Sequence, residues 1–125
     1  MNGTRYLFDT NANIALSKGN SSLDNLLLQA DWIATSIINV LEFLSFSYLN
    51  ETDKKVFYEF ISRIRVIPVS DKDRNVLETI AELRIFQHLK LPDAIIAGTA
   101  INNNAVLLTN DKAFSKIPLL KIEVF

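Results

Sequence analysis

The stretch Arg5-Tyr6-Leu7-Phe8-Asp9-Thr10-Asn11 decides the fold, because it joins a short apolar strand to a polar cluster. The residues before Asp9 favour a buried β-strand, since aromatic and aliphatic side chains are enriched in strands. Asp9 and Thr10 are both residue types that cap helices, and either could begin the helix that Ile14 continues. A strand that runs through polar residues into a helix is typical of a parallel α/β unit.

The same alternation of strands and helices continues along the chain. Further strands are predicted at 32–35, 66–69 and 105–109, with an edge strand at 121–125. Further helices are predicted at 24–29, 36–48 and 56–64, after a Ser70-Asp71 cap, and from Pro92 to the asparagines at 102–104, while residues 50–55 favour a polar turn. The chain is therefore predicted to be an α/β protein with three layers, α/β/α, around a mostly parallel sheet of four to five strands.

Length and composition limit the possible functions. The 125 residues predict a single domain, 1–125, and 49% hydrophobic residues suit a folded globular chain. The absence of cysteine excludes disulfides, thiolate nucleophiles and cysteine-based metal sites, and one histidine, His88, excludes multi-histidine sites. A net charge of −1 argues against a broadly basic surface for nucleic acid, although a local basic rim stays possible.

The distribution of apolar residues leads to two further expectations. No segment resembles a signal peptide or a membrane span, so the cytoplasm is the expected location and no membrane partner is expected. The mean hydropathy of +0.17 and eight phenylalanines suggest a surface buried against another chain, with a homodimer the first candidate and a well-packed core the alternative. The expectation of a second chain rests on Phe43, Phe46, Phe57 and Phe60, which two neighbouring helices could not all bury.

Four carboxylates stand where a site is expected. Ligands bind beyond the carboxyl ends of parallel strands, and Asp9 and Asp111 follow two strands closely. Glu42 and Asp93 have apolar neighbours, where a buried acid is costly unless a cation meets it. Three of the acids also have a structural explanation: Asp9 a helix cap, Asp93 a partner of the helix dipole, and Asp111 ordinary turn chemistry. Together they favour a site for a hard cation.

Four blocks of sequence resemble the signature blocks of PIN-domain ribonucleases, and the VapC toxins of bacterial toxin–antitoxin pairs are the nearest branch. The blocks occur in the family's order and span essentially the whole chain: Tyr6 to Asn11, Ile38 to Phe43, Leu89 to Ala97 and Leu108 to Lys112. Two positions depart from the family pattern. Asn39 stands where many relatives have Thr or Ser, and Ala113 stands where an acid often precedes the phenylalanine.

The resemblance implies a PIN fold and a ribonuclease, a hydrolase of RNA phosphodiester bonds that depends on Mg²⁺ or Mn²⁺. It also implies a toxin that a cognate antitoxin protein neutralises. Carried over position by position, the catalytic and metal-binding residues would be Asp9, Glu42, Asp93 and Asp111, with Asn11 and Thr109 supporting them. Asn11 in particular would help to hold Asp9 and nearby polar groups.

The chemistry of the four acids agrees with this interpretation. Converging carboxylates repel one another, and a divalent ion removes the repulsion and can activate a water as the nucleophile. Candidate RNA contacts are Arg84, Lys112 and Lys116, although a surface ion pair or plain solvation explains each equally well. A cationic side chain of the antitoxin, Arg or Lys, is expected to enter among the acids.

Two alternatives come from other classes. A phosphoacceptor receiver domain has similar length and layering, but Asp9 lacks the acidic neighbour that such domains place after the first strand. A catalytically inactive PIN domain that binds RNA or protein is the second alternative, and the presence of all four acids weakens it.

Overall fold

The computed structural model describes residues 3–125, with the backbone alone described at Ser17. Strands and helices alternate as the sequence predicts. Their order is β1 (Thr4–Phe8), α1 (Thr10–Ser17), α2 (Ser21–Leu28), β2 (Ala30–Ser36), α3 (Ile37–Leu44), α4 (Glu51–Ile61), β3 (Arg65–Ile67), α5 (Arg74–Gln87), α6 (Leu91–Asn102), β4 (Val106–Leu108) and β5 (Lys121–Glu123).

One parallel sheet carries all five strands, in the order β3-β2-β1-β4-β5, which confirms the predicted sheet. The central strand β1 pairs with β2 on one side and with β4 on the other. In this register Phe8 lies opposite both Thr35 and Leu108. The residues that follow these three positions, Asp9 among them, therefore leave the sheet at the same edge.

The side chains of β1 alternate between two apolar cores, as the twofold period of a strand requires. Leu7 points into the core formed with α5 and α6, whereas Tyr6 and Phe8 point into the core formed with α1 and α2. Helices α5 and α6 approach closely at Gly98, because a Cβ there would lie 2.7 Å from Cγ1 of Ile80. Helices thus cover both faces of the sheet and give the predicted three-layer α/β/α arrangement.

The prediction of a polar turn at residues 50–55 is wrong, because these residues cap and begin helix α4. Asn50 and Asp53 form a capping box: the Asp53 amide donates to Oδ1 of Asn50 at 2.7 Å, and the Asn50 amide donates to Oδ2 of Asp53 at 3.3 Å. A first helical turn made of polar residues has no apolar periodicity, so its sequence resembles that of a turn.

Other helix boundaries also differ from prediction. The cap of α5 is Asp73, which accepts from the Val76 amide at 3.3 Å, so the prediction of a Ser70-Asp71 cap is wrong. Helix α2 begins earlier than predicted, at Ser21, and α3 ends earlier, at Leu44. Within residues 3–125 no helix combines the length and the apolar character needed to cross a bilayer.

The four phenylalanines that suggested a second chain are mostly accommodated inside the molecule. Phe43 and Phe57 are buried and stack with ring centroids 3.9 Å apart. Phe60 is half-buried, with its ring centroid 5.8 Å from that of Phe8, and Phe46 is 43% exposed. The two helices thus do not bury all four rings, as expected, and Phe46 keeps an exposed apolar surface. Its contact with a second chain stays a prediction.

Candidate active site

A cavity of about 280 Å³ lies at the edge of the sheet where β1 and β4 end. All four acids that the sequence singles out line it, although they come from four separate parts of the chain. The lining residues are Asp9, Thr10, Asn11, Ile14, Glu42, Phe46, Asp93 and Asp111. The structure therefore brings the predicted acids to one place, and what they do there stays a prediction.

Asp9 is the most buried of the four acids, with 7% of its surface exposed. It caps helix α1, as one structural explanation expected, because its Oδ1 accepts from the Thr10 amide at 2.8 Å. Oδ1 also accepts from Nδ2 of Asn39 at 3.1 Å, and Oδ2 accepts from Oγ1 of Thr109 at 2.6 Å. These three donors fix the orientation of the Asp9 side chain.

Thr109 connects the first acid to the last. Besides donating to Asp9, its hydroxyl oxygen accepts from the backbone amide of Asp111 at 3.0 Å. The Thr109 amide in turn donates to the carbonyl of Glu123 in β5 at 3.1 Å. Thr109 is buried, and these bonds put it beside the acids that it is predicted to support.

Glu42 is held through Thr10 and Asn39, two residues that the sequence did not assign to the site. The hydroxyl of Thr10 donates to Oε1 of Glu42 at 2.9 Å and accepts from Nδ2 of Asn39 at 3.0 Å. Asn39 is fully buried on α3, one helical turn before Glu42. The available signal was Ser36-x-x-Asn39 before an apolar run, which is the spacing of a capping box.

Asp93 and Asp111 form the less neutralised side of the cavity. Asp93 is half-buried in the first turn of α6, and its pKa is raised by burial, and then by the negative charges of Asp111 and Asp9. Lys90 opposes this rise in the pKa of Asp93. Asp111 is exposed and caps the 3₁₀ turn at Lys112–Phe114 by accepting from the Ala113 amide at 2.9 Å.

Asn11 lines the cavity but does not make the expected contact with Asp9. The hydrogen bonds described for the Asp9 carboxylate come from Thr10, Asn39 and Thr109, so these residues hold Asp9 in place of Asn11. The side-chain oxygen of Asn11 is buried and accepts no hydrogen bond from any described residue. A buried acceptor without a donor favours a bound water or cation beside it.

The predicted RNA-contacting cations lie outside the cavity. Lys112 and Lys116 are exposed just after Asp111, and Arg84 is exposed in the last turn of α5. Lys90, at the start of α6, was not singled out from the sequence, although its charge acts on Asp93.

The donor set suits a hard divalent cation, because carboxylate and amide oxygens are the ligands that Mg²⁺ and Mn²⁺ prefer. The raised pKa of Asp93 and the unpartnered oxygen of Asn11 both agree with a cation at this edge. Within the part of the chain that the structure describes, however, no three acidic or histidine side chains stand close enough to hold a metal ion together. A cation that keeps most of its water ligands fits this wider spacing.

Comparison with known proteins agrees with the fold. The model of the PIN domain family matches residues 6–120 of the chain. A chain in the crystal structure of VapBC2 from Rickettsia felis, bound to a DNA fragment from its promoter, is similar with 30% identity and a TM-score of 0.82. That match covers 98% of this chain and 99% of the other. A search of curated protein sequences finds no significant match.

Two further solved structures are similar over nearly their whole length. A toxin–antitoxin complex from Klebsiella pneumoniae contains a chain that is 30% identical, with a TM-score of 0.75 and coverage of 92% and 94%. DNA-bound VapBC from Salmonella typhimurium contains one that is 26% identical, with a TM-score of 0.76 and coverage of 97% and 98%.

Proposed function

This chain belongs to the PIN-domain family, and from that premise we propose that it is a metal-dependent endoribonuclease, the toxin of a type II toxin–antitoxin pair. One observation supports the proposal above the others: Asp9, Glu42, Asp93 and Asp111 line one cavity at the carboxyl edge of a parallel sheet. The solved structures that it resembles include toxin–antitoxin complexes, which supports the biological role.

The four acids are proposed to contribute in different ways to the binding of a cation. A divalent ion at this edge, Mg²⁺ or Mn²⁺, would supply Lewis-acid charge and an activated water for hydrolysis. Asp9 offers carboxyl oxygens whose orientation Thr109 and Asn39 fix by donating hydrogen bonds to them. Asp93 and Asp111 supply the negative charge that makes the cavity attract a cation. The buried oxygen of Asn11 is a further neutral acceptor for the ion or its water.

Exposed cations beside the cavity are proposed to guide the RNA backbone. Lys112 and Lys116 follow Asp111 on the surface, where they could contact phosphates on either side of the cleaved bond. Arg84 lies farther along α5 and outside the cavity lining, so we assign it at most a weak, long-range contribution. The cytoplasm, where RNA is present, is the proposed place of action.

A nuclease assay with purified protein tests the proposal. Single-stranded RNA should be cleaved with Mn²⁺ or Mg²⁺ and left intact with EDTA, and the same sequence as DNA should be run beside it. Calorimetry should detect Mn²⁺ binding that the double variant Asp9→Asn/Asp93→Asn abolishes. Undiminished Mn²⁺ binding by the double variant would contradict the assignment of the metal site.

An inactive PIN domain that binds RNA or protein is the second candidate. One observation favours it: as they stand, no three acids within residues 3–125 are grouped closely enough for one ion. RNA binding that persists in EDTA, without cleavage at any concentration of Mn²⁺, would support this candidate over the nuclease.

The proposed antitoxin contact uses the cavity together with its apolar neighbour. A second cavity, of about 300 Å³, adjoins the acidic one, because Ile14 and Phe46 line both. We propose that a cognate antitoxin places an Arg or Lys among Asp9, Asp93 and Asp111 while its apolar side chains cover the second cavity. Raising Mn²⁺ should then relieve inhibition of RNA cleavage. Inhibition that is indifferent to Mn²⁺ would place the block elsewhere.

We also propose that the protein forms a homodimer. Phe46 retains part of the apolar surface that suggested a second chain, and the structure adds exposed apolar side chains at Ile85, Phe86 and Leu119, which are 62%, 70% and 88% exposed. Light scattering should give twice the 14.1 kDa of one chain. A stable monomer at high micromolar concentration would contradict this proposal.

A further inference from the structure

We propose that Asn39 is a positioning residue: its side-chain amide sets the direction of a hydrogen-bond chain that runs through Thr10 and ends on Glu42. The inference rests on the proposed metal-dependent function and adds to it a residue that has no place among the four acids. It follows from the position of Asn39, which is fully buried and has three polar partners, the neighbouring pair Asp9 and Thr10 and the helix cap Ser36.

The orientation of the Asn39 amide is fixed by its neighbours. Its Oδ1 accepts from the backbone amide of Ser36 at 3.3 Å. Its Nδ2 donates to Oδ1 of Asp9 at 3.1 Å and to Oγ1 of Thr10 at 3.0 Å. The reversed amide would turn its oxygen towards a carboxylate and its nitrogen towards an N–H group, so only one orientation satisfies all three partners.

That orientation determines where the Thr10 proton goes. An amide nitrogen donates and cannot accept, so the Thr10 oxygen must accept from Asn39. The single proton of the Thr10 hydroxyl is then directed to Oε1 of Glu42, at 2.9 Å. A Ser or Thr at position 39 could accept as well as donate, and the direction of the chain would no longer be fixed.

The consequence concerns Glu42. Its side chain would otherwise rotate freely in a half-buried position, and that rotation would have to stop when a cation or its water binds. With Oε1 engaged by Thr10, the carboxylate is already oriented and Oε2 is left for the ion or its water shell. Outer partners of this kind typically change metal affinity by about 10- to 100-fold.

Calorimetric titration of the metal-free protein with Mn²⁺ tests the chain of bonds without relying on RNA cleavage. Asn39→Ala should weaken Mn²⁺ binding by about 10- to 100-fold. Thr10→Val should weaken Mn²⁺ binding about tenfold in the unmodified protein. In the Asn39→Ala protein the same change should weaken Mn²⁺ binding less than about threefold, because the Thr10 hydroxyl is no longer directed to Glu42 in that protein. Equal losses from Thr10→Val in both backgrounds would overturn the proposal while leaving metal binding, and the nuclease, intact.

A second measurement covers the case in which Asn39→Ala does not fold. In nitrogen-15 NMR spectra of the metal-free protein, the side-chain amide protons of Asn39 should exchange with solvent far more slowly than those of exposed Asn75. Thr10→Val should shift the Asn39 signals. Exchange as fast as that of Asn75 would overturn the proposal. Failure of the unmodified protein to bind Mn²⁺ would overturn the metal-dependent function and, with it, the role of Asn39.

Discussion

The two halves of the acidic cavity differ in how their negative charge is balanced. On one side, Asp9 and Glu42 accept hydrogen bonds from Thr10, Asn39 and Thr109, all within the fold. On the other side, Asp93 lies close enough to Asp111 for their charges to repel, and the pKa of Asp93 is raised by burial and by its acidic neighbours.

The difference separates two tasks that a family resemblance assigns to all four acids alike. Hydrogen bonds orient a carboxylate without neutralising it, whereas uncompensated charge attracts a cation without orienting it. We therefore expect the Asp9 half to position a bound cation and the Asp93 half to attract it. Variants on the two sides should consequently differ in which property they change: RNA cleavage on the Asp9 side and pH-dependent stability on the Asp93 side.

The largest effect is expected from Asp9→Asn. The new side chain keeps one acceptor oxygen and replaces the other with an NH₂ group. That NH₂ group must face donors, either Thr109 or the pair formed by the Thr10 amide and Asn39. RNA cleavage should fall by more than about 100-fold, beyond the range for outer partners of a metal site. Single-turnover cleavage measures the loss, and Asp71→Asn, at an exposed acid in the turn before α5, is the matched control. Activity within about tenfold of the unmodified protein, the low end of that range, would contradict the positioning task of Asp9.

A smaller effect is expected from Thr109→Val, which keeps the shape of the side chain and removes its hydroxyl. Oδ2 of Asp9 loses its donor and the Asp111 amide loses its acceptor. The free energy of unfolding should therefore fall by about 1–3 kcal/mol. Cleavage should fall by about 10- to 100-fold. Thr79→Val serves as the control, because Thr79 donates only to a carbonyl within α5. Equal effects of the two variants on cleavage would remove the special role of Thr109.

The third prediction concerns pH and the Asp93 half. Because the pKa of Asp93 is raised above its usual 3.8 in the folded protein, the folded state binds this proton more tightly than the unfolded chain does. The free energy of unfolding of the metal-free protein should therefore fall as the pH rises from 3.8 through the raised pKa.

Asp93→Asn should remove this pH dependence and slightly stabilise the metal-free protein at pH 7. The gain should stay below about 1 kcal/mol, since solvent screens a half-exposed carboxylate. Chemical denaturation at several pH values measures both effects. A variant that is less stable than the unmodified protein at pH 7 would contradict the idea that charge on this side is uncompensated.

The smallest effect is expected at the surface cations. Lys112→Ala combined with Lys116→Ala should weaken RNA binding about threefold at low salt, and the slope of the salt dependence should decrease by about 0.7 for each phosphate that a lysine no longer neutralises. Arg84→Ala should change binding by less, because Arg84 lies outside the cavity lining. Filter binding at several salt concentrations measures both variants, and a larger effect of Arg84→Ala would reverse the ranking.

Much of the fold is predictable because its signals are local. Apolar strands followed by polar residues indicate β1 and β4, and the parallel sheet follows from their alternation with helices. Most failures are at helix starts, where the first turn of α4 is polar throughout and several polar residues before α5 compete as its cap. Apolar periodicity carries no information about such turns.

The candidate site is predictable as a set of acids and not as a network. Carboxylates in apolar surroundings stand out in a sequence, and all four line one cavity. Asn39 stands out in the sequence only as a departure from the family pattern and as part of a capping-box spacing with Ser36, because Asp9 and Thr10, its other two partners, come close only after folding. Asn11 illustrates the converse: a motif position suggests a contact with Asp9 that the described hydrogen bonds assign to other residues.

The bond between Thr109 and Asp9 has a consequence for the order of synthesis. Asp9 is synthesised 100 positions before the residue that donates to its Oδ2. The backbone amide of Thr109 also donates to the carbonyl of Glu123, so the full set of bonds at Thr109 needs residues up to 123. A nascent chain that has not reached position 109 therefore carries the first acid without this donor. Any activity that depends on the orientation of Asp9 would in this way be delayed until synthesis has passed Thr109.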